Sequence, residues 1–162
     1  MTQAAPARRD AAEQAQLETL LVDLFEQRIA FNQVLGLKVD SLVADDVRLR
    51  FAMRPELVGH FLYGRLHGGV TSSVLDAVGG LALMVAIAER HRADTALQVL
   101  QRFSKMGTID LRVDFLRQGI GQHFVAHGEV TRLGGRVGST QMRLLNDEGT
   151  LIATAAAAYV VA

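Results

Sequence analysis

The sequence predicts an α+β fold in which a curved antiparallel sheet wraps around one long central helix, with an extra helix at the N-terminus. Residues 70–88 are apolar on nearly every face of a helix, which places that helix inside a core rather than on a surface. Four strand-like segments follow it, separated by glycine-rich turns. The apolar face of a sheet must pack against another apolar element, and this helix is the only predicted element that is apolar on all sides.

The N-terminal part of the chain is expected to add one helix to this core. Residues 1–16 are rich in alanine, glutamine and charge and are expected to be flexible, whereas residues 17–162 are expected to form a single domain. Apolar residues recur at helical spacing from Leu17 to Val34, so an amphipathic helix is predicted that ends near Gly36.

A hairpin and a loop are predicted between the two helices. The segments 37–43 and 47–53 flank the acidic pair at 45–46, and the second alternates apolar and polar residues as a half-buried strand does. Residues 54–66 contain one proline and two glycines and are predicted to be a loop.

The C-terminal half is predicted to be an antiparallel meander. Residues 89–107 are polar and mixed, with a possible short helix over 96–103. In the first strand, alternation places four apolar side chains on the inner face of the sheet: Ile109, Leu111, Val113 and Phe115. The predicted strands span roughly 108–116, 123–133, 136–145 and 151–161.

Composition narrows the functional classes. The chain has 162 residues, of which 49% are hydrophobic, enough for one domain with a sizeable core. Basic and acidic residues both number 17, and the zero net charge argues against a general nucleic-acid or membrane-surface binder. The absence of cysteine excludes disulfides, thiol catalysis and cysteine-ligated metals. Because no apolar signal core occurs in residues 1–16, a cytoplasmic protein is expected.

The apolar run is also long enough to cross a membrane, but its composition favours a buried helix. It contains Asp76, three hydroxyl residues and the pair Gly79-Gly80, and no other run of this kind occurs. No membrane insertion is therefore expected.

Asp76 is the main indication of an enzyme. Burying an unpaired carboxylate costs on the order of several kcal/mol. A single acidic residue in an apolar helix is therefore expected to have a specific structural or functional role. Such settings are common for catalytic acids and bases, although a structural acid that pairs inside the core stays an alternative. Gly68 and Gly69 precede it and leave backbone amides at the helix start, where the helix dipole favours negative charge.

Three sequence blocks resemble one known family. The blocks "LHGGVTSSVLDAVGG", "GTIDLRVDFLRQG" and "GTLIATAAAAYVV", with the leading "FNQVLGLKV", resemble the hotdog-fold acyl-CoA thioesterases over about residues 34–161. The branch is that of the phenylacetyl-CoA thioesterases, and more closely that of their medium- to long-chain acyl-CoA relatives. The resemblance implies hydrolysis of an acyl-CoA to free acid and CoA, with no metal or redox cofactor.

The resemblance also implies roles for individual residues. Asp76 is the catalytic carboxylate, as general base or as nucleophile, and the Gly68 amide polarises the thioester carbonyl. His67 helps to position the acyl group, or simply caps the helix. Thr108 orients the attacking water, although strict alternation points it away from the helix unless the strand begins with a bulge. His60 stands where many relatives have an asparagine.

The phosphates of CoA need local cations or backbone amides. The candidate ligands for the nucleotide are Gly69, Arg117, Arg132 and Arg136.

The spacing of the motif predicts a dimer. Nine residues of helix separate His67 from Asp76 and advance by roughly 13 Å, so Gly68 and Asp76 of one chain cannot hold the same carbonyl carbon. An antiparallel partner helix could bring one chain's Asp76 beside the other chain's Gly68. A homodimer with shared sites is therefore expected, with a dimer of dimers as its further assembly.

Two functions other than hydrolysis stay open. One is a non-catalytic module that binds or senses acyl-CoA or acyl-ACP on the same fold. The other is a hotdog dehydratase or hydratase, although its usual paired Asp and His are not evident.

Overall fold

The computed structural model describes residues 9–162 and confirms the predicted α+β architecture. The helical elements are α1 (Ala11–Asp23), a π-helical turn (Leu24–Arg28), α2 (Ala30–Leu35), a 3-10 turn (Pro55–Leu57), α3 (Gly68–Arg90), α4 (Ala96–Arg102) and a 3-10 turn (Phe103–Lys105). The strands are β1 (Lys38–Val43), β2 (Asp46–Ala52), β3 (Val58–His60), β4 (Arg65–Leu66), β5 (Gly107–Phe115), β6 (His123–Leu133), β7 (Val137–Asn146) and β8 (Leu151–Val160).

The N-terminal helix differs from its prediction at both the start and the middle. It begins at Ala11, capped by the Asp10 carboxylate, inside the stretch that was expected to be flexible; residues 1–8 lie outside the described part of the chain. Ile29 is extended and separates the π-helical turn from α2, so the single predicted helix is wrong. The predicted end is correct, since Gly36 closes α2 with a φ of 70°. Val34, expected on the apolar face, is exposed.

Local hydrogen bonds explain the break at Ile29. The amide side chain of the buried Asn32 donates to the Phe25 carbonyl, which the break leaves without a helical partner. A β-branched residue accepts the extended backbone readily. Apolar periodicity cannot reveal such a break, because the pattern of buried residues continues across it.

Six strands form one antiparallel sheet in the order β1-β2-β6-β7-β8-β5. The hairpin β1–β2 and the four C-terminal strands match the predicted segments to within one or two residues. The predicted loop over 54–66 instead holds a 3-10 turn and the small β3–β4 hairpin.

Helix α3 is the centre of the core. It contacts all six strands of the large sheet, which requires the sheet to curve around it. This is the hotdog arrangement that the resemblance implies. By length and composition the helix could cross a membrane. However, 56% of its most apolar 18-residue segment is buried inside the protein.

Strand β5 is an edge of the sheet and begins with a bulge. Thr108 pairs with Tyr159 of β8 and Asp110 pairs with Ala158, which leaves Ile109 as the extra residue. Thr108 therefore takes the inward position, and Ile109, predicted to face the core, is 53% exposed. Strict alternation fails here because one additional residue changes the face of every side chain that precedes it.

Candidate active site

The start of α3 leaves one backbone amide free. His67 is the N-cap residue, and its Nδ1 accepts the Gly69 N–H at 2.8 Å. Within residues 9–162 the N–H of the exposed Gly68 has no acceptor. The Gly69 amide, predicted to hold the nucleotide, is therefore engaged by the cap, and the Gly68 amide is the donor that faces outward.

The segment before Gly68 is anchored on two sides. The His67 N–H donates to the Leu57 carbonyl at 2.9 Å, and the Leu66 N–H donates to the Gly119 carbonyl at 2.8 Å. Gly59 lies directly against His67, since a Cβ on Gly59 would lie 2.5 Å from the His67 Cα. These contacts fix the backbone that presents the free amide.

His60 lies at the end of β3, next to this anchored segment. Its Nδ1 is buried without a hydrogen-bond partner in the described chain, and its ring packs against Tyr63 with centroids 4.8 Å apart. No hydrogen bond joins His60 to Asp76 or to Gly68 within residues 9–162. The structure therefore places His60 near the helix start, and within residues 9–162 no hydrogen bond joins it to the carboxylate.

The Asp76 carboxylate is half-buried and hydrogen-bonded to Thr108. The Thr108 hydroxyl donates to Asp76 Oδ1 at 2.9 Å. The bulge in β5 makes this contact possible, because it turns Thr108 toward α3. One carboxylate oxygen is thus fixed by a hydroxyl, and the other has no partner within residues 9–162.

Tyr159 is a site residue that the sequence analysis missed. Its phenol donates to the backbone carbonyl of Asp76 at 2.9 Å, from a side chain that is only 3% exposed. Burial raises the pKa of the Tyr159 phenol, and the nearby Asp76 carboxylate raises it further. One signal could have found it: among the inward positions of β8, Tyr159 is the polar exception in a row of alanines.

The predicted cationic ligands do not come together in one chain. Arg117 lines the same surface cavity as Gly68, of about 420 Å³, and donates to the Leu151 carbonyl at 3.0 Å. Arg132 and Arg136 lie on or beside the β6–β7 hairpin. That hairpin is hydrogen-bonded to Arg90, in the last turn of α3 and thus at the opposite end of the helix from Gly68.

The arrangement can stabilise an oxyanion and activate a nucleophile. A free N–H at a helix start is a preorganised donor for negative charge that develops on a carbonyl oxygen. A half-buried carboxylate with one fixed oxygen can accept a proton from water or attack a carbonyl itself. Within residues 9–162, no three His, Asp or Glu side chains cluster as metal ligands would.

Comparisons with known proteins identify the family of the chain. A family model described as the thioesterase superfamily matches residues 63–153. The medium/long-chain acyl-CoA thioesterase YigI of Escherichia coli K12 is 38% identical over 142 residues, covering 88% of this chain and 92% of that protein.

Two solved structures share the fold. A protein from Shewanella oneidensis related to the thioesterase superfamily is 40% identical and superposes with a TM-score of 0.87, over 92% of this chain and 97% of its own. A variant of the phenylacetic acid degradation protein PaaI from Thermus thermophilus superposes with a TM-score of 0.63, over 82% of this chain and 98% of its own. At 20% identity, the second similarity concerns the fold alone.

Proposed function

The chain belongs to the thioesterase superfamily, and from this premise we propose that it hydrolyses acyl-CoA thioesters to free acid and CoA. The observation that carries the proposal is the hydrogen bond from the Thr108 hydroxyl to the Asp76 carboxylate. It gives the acid in the apolar helix a defined partner and a defined direction. The printed activity of the YigI relatives supports acyl-CoA as the substrate class.

In the proposed reaction the carbonyl carbon of the thioester is attacked while its oxygen binds the Gly68 N–H. One oxyanion donor of this kind contributes about 2.7–4 kcal/mol to transition-state stabilisation. Asp76 either removes a proton from the attacking water or attacks the carbonyl to form a mixed anhydride, which water then hydrolyses. In both routes the C–S bond breaks and CoA leaves as a thiolate, so no strong general acid is needed.

The site is completed by a second copy of the chain in this proposal. Gly68 and Asp76 lie eight residues apart in α3, which is about 12 Å along the helix axis, too far for one carbonyl group to contact both. An antiparallel pair of α3 helices brings the Gly68 amide of one subunit to the Asp76 carboxylate of the other. A two-fold dimer then contains two identical sites.

Strand β5 supports the same dimer. Among residues 9–162 it is an edge strand, with no further strand paired to its outer side, and such edges in native proteins are normally covered. Its exposed apolar residues point to a protein partner: Phe115 is 58% exposed and stands within 3.4 Å of the place where a Gly68 Cβ would be. The dimer of dimers and the cytoplasmic location stay predictions from the sequence.

A medium- to long-chain fatty acyl group is the preferred substrate in this proposal, with an aryl-acyl group as the alternative. Apolar side chains line the cavity at the start of α3, including Phe115 and Leu116. Such a surface suits an aliphatic chain. Arg117, which lines the same cavity as Gly68, is assigned to the phosphates of CoA, while Arg132 and Arg136 are assigned to a site that the partner helps to build.

The test is CoA release from a panel of acyl-CoA substrates by wild type and by Asp76→Asn. We expect the substitution to abolish turnover while the dimer and the unfolding temperature are retained. Asp45→Asn is the matched control, because Asp45 is an exposed carboxylate in the turn between β1 and β2, at the opposite edge of the sheet from β5. Tight acyl-CoA binding without turnover by wild type would favour the binding or sensing module instead.

A further inference from the structure

The phenol of Tyr159 is inserted into the wall of α3 at the level of Asp76. Its hydroxyl donates to the Asp76 carbonyl at 2.9 Å, although that carbonyl already belongs to the hydrogen-bond ladder of the helix. The second donor to this carbonyl is the Tyr159 hydroxyl, which comes from strand β8 rather than from the helix. It ties the backbone of the catalytic candidate directly to the sheet.

Gly79 provides the space for this contact. A Cβ at Gly79 would lie 2.4 Å from the Tyr159 hydroxyl oxygen and 2.9 Å from the Thr140 hydroxyl oxygen. No side chain other than hydrogen fits there without moving the phenol. The glycine one turn after Asp76 therefore permits the close approach of the sheet to the helix.

The register of the sheet couples this contact to the carboxylate. Thr108 and Tyr159 are directly paired across β5 and β8, and both face α3. The Thr108 hydroxyl holds the Asp76 side chain, and the Tyr159 hydroxyl holds the Asp76 backbone. Two adjacent strand positions thus fix one residue from two directions. The phenol is protonated through the neutral range and is therefore a donor there, and its raised pKa extends that range to higher pH.

We propose that Tyr159 is a positioning residue of the hydrolytic site, which holds α3 at the depth where the Asp76 carboxylate meets Thr108. The proposal rests on the hydrolytic function proposed above. Tyr159 touches no reacting atom in this account and acts through Asp76. Small displacements of a reacting group lower rates strongly, because about 1 Å can cost a hundredfold.

The test is the steady-state kinetics of Tyr159→Phe with a good acyl-CoA substrate. This variant retains the ring and loses only the hydroxyl. We expect kcat to fall about tenfold with KM unchanged, since the loss concerns the position of the carboxylate rather than substrate binding. The stability control is Val99→Ala, which creates a cavity at a fully buried position of α4 and should reduce stability without the loss of kcat.

A double-mutant cycle with Thr108→Val separates positioning from general stability. Both hydroxyls are proposed to act on Asp76, so the effect of Tyr159→Phe on kcat should shrink in the Thr108→Val background. Gly79→Ala gives a second way to displace the phenol and should reproduce the fall in kcat, even if Tyr159→Phe were to fold poorly.

The outcomes separate the two proposals. If Asp76→Asn remains active, the proposed function of the site fails. If Asp76→Asn is inactive but Tyr159→Phe keeps the wild-type kcat, or if its effect is fully additive with Thr108→Val, only the positioning role of Tyr159 is overturned.

Discussion

Replacement of Gly68 by proline removes one hydrogen-bond donor from the proposed site and puts the ring Cδ in the place of the amide hydrogen. Gly68 is the first residue of α3, where proline is favoured because its missing N–H has no helical partner. Within residues 9–162 the Gly68 N–H has no acceptor to lose. His67 already has the extended conformation that a following proline requires, with φ −66° and ψ 136°.

The expected effect on rate is large and the expected effect on stability is small. Loss of one oxyanion donor lowers kcat by about 10² to 10³, which corresponds to about 2.7–4 kcal/mol. Replacing glycine by proline at a compatible position stabilises a fold by about 0.4–1 kcal/mol, through the unfolded chain. An added Cβ would meet the Phe115 ring at 3.4 Å, which is close to ordinary contact.

The assay is the initial rate of CoA release, together with the free energy of unfolding in urea. Gly68→Ala is the matched control, because it adds the Cβ but retains the N–H, and its kcat should stay within a few-fold of wild type. The reasoning is refuted if Gly68→Pro and Gly68→Ala have the same kcat.

Three further substitutions have defined expectations. Thr108→Val removes the hydrogen bond to a carboxylate and should lower kcat about tenfold to a hundredfold at unchanged KM, whereas a wild-type kcat would separate Thr108 from the chemistry. Arg9→Ala should reduce the free energy of unfolding in urea by about 2 kcal/mol, because the Arg9 guanidinium donates to the carbonyls of Ala88 and His91 at the end of α3 and of Asp94 in the turn that follows; an equal effect of the exposed Arg28→Ala would contradict this. When wild type is titrated to alkaline pH, Tyr159 should ionise and add tyrosinate absorbance as the protein unfolds. Tyr159→Phe should lack this absorbance change.

The direction of that last prediction follows from the raised pKa of Tyr159. Burial disfavours the phenolate, so the phenol stabilises the fold fully below the pKa of an unfolded tyrosine, about 10, and this contribution is lost as the pH rises further. In wild type, Tyr159 should ionise together with the loss of helical circular dichroism. Ionisation of both tyrosines in a fully folded protein would contradict the buried position.

The helices and strands that follow from a regular pattern of apolar residues could be predicted from the sequence. Alternation and glycine-rich turns placed the strands of the meander to within one or two residues, and the apolar run 70–88 placed α3. The Asp76 carboxylate could be singled out because a charge in an apolar helix is costly whatever the detail of its surroundings.

Features that depend on a single irregular residue could not be predicted in the same way. The bulge at Ile109 has no turn residue or proline to mark it, yet it reverses the face of Thr108. Ile29 interrupts the N-terminal helix without interrupting its apolar pattern. Tyr159 reaches Asp76 only because a glycine in another element leaves room for it; its place among the inward alanines of β8 singles it out but does not identify the residue that it contacts.

The central claim is that each site takes its Gly68 amide and its Asp76 carboxylate from two different subunits, and subunit complementation tests it most directly. Asp76→Asn and Gly68→Pro are each expected to be nearly inactive. When the two variants are unfolded together in urea and refolded as a mixture, about half of the dimers contain one subunit of each kind, and each of these has one intact site of two, so about a quarter of wild-type activity should return. A site built within one chain predicts instead that the mixture stays as inactive as its two components.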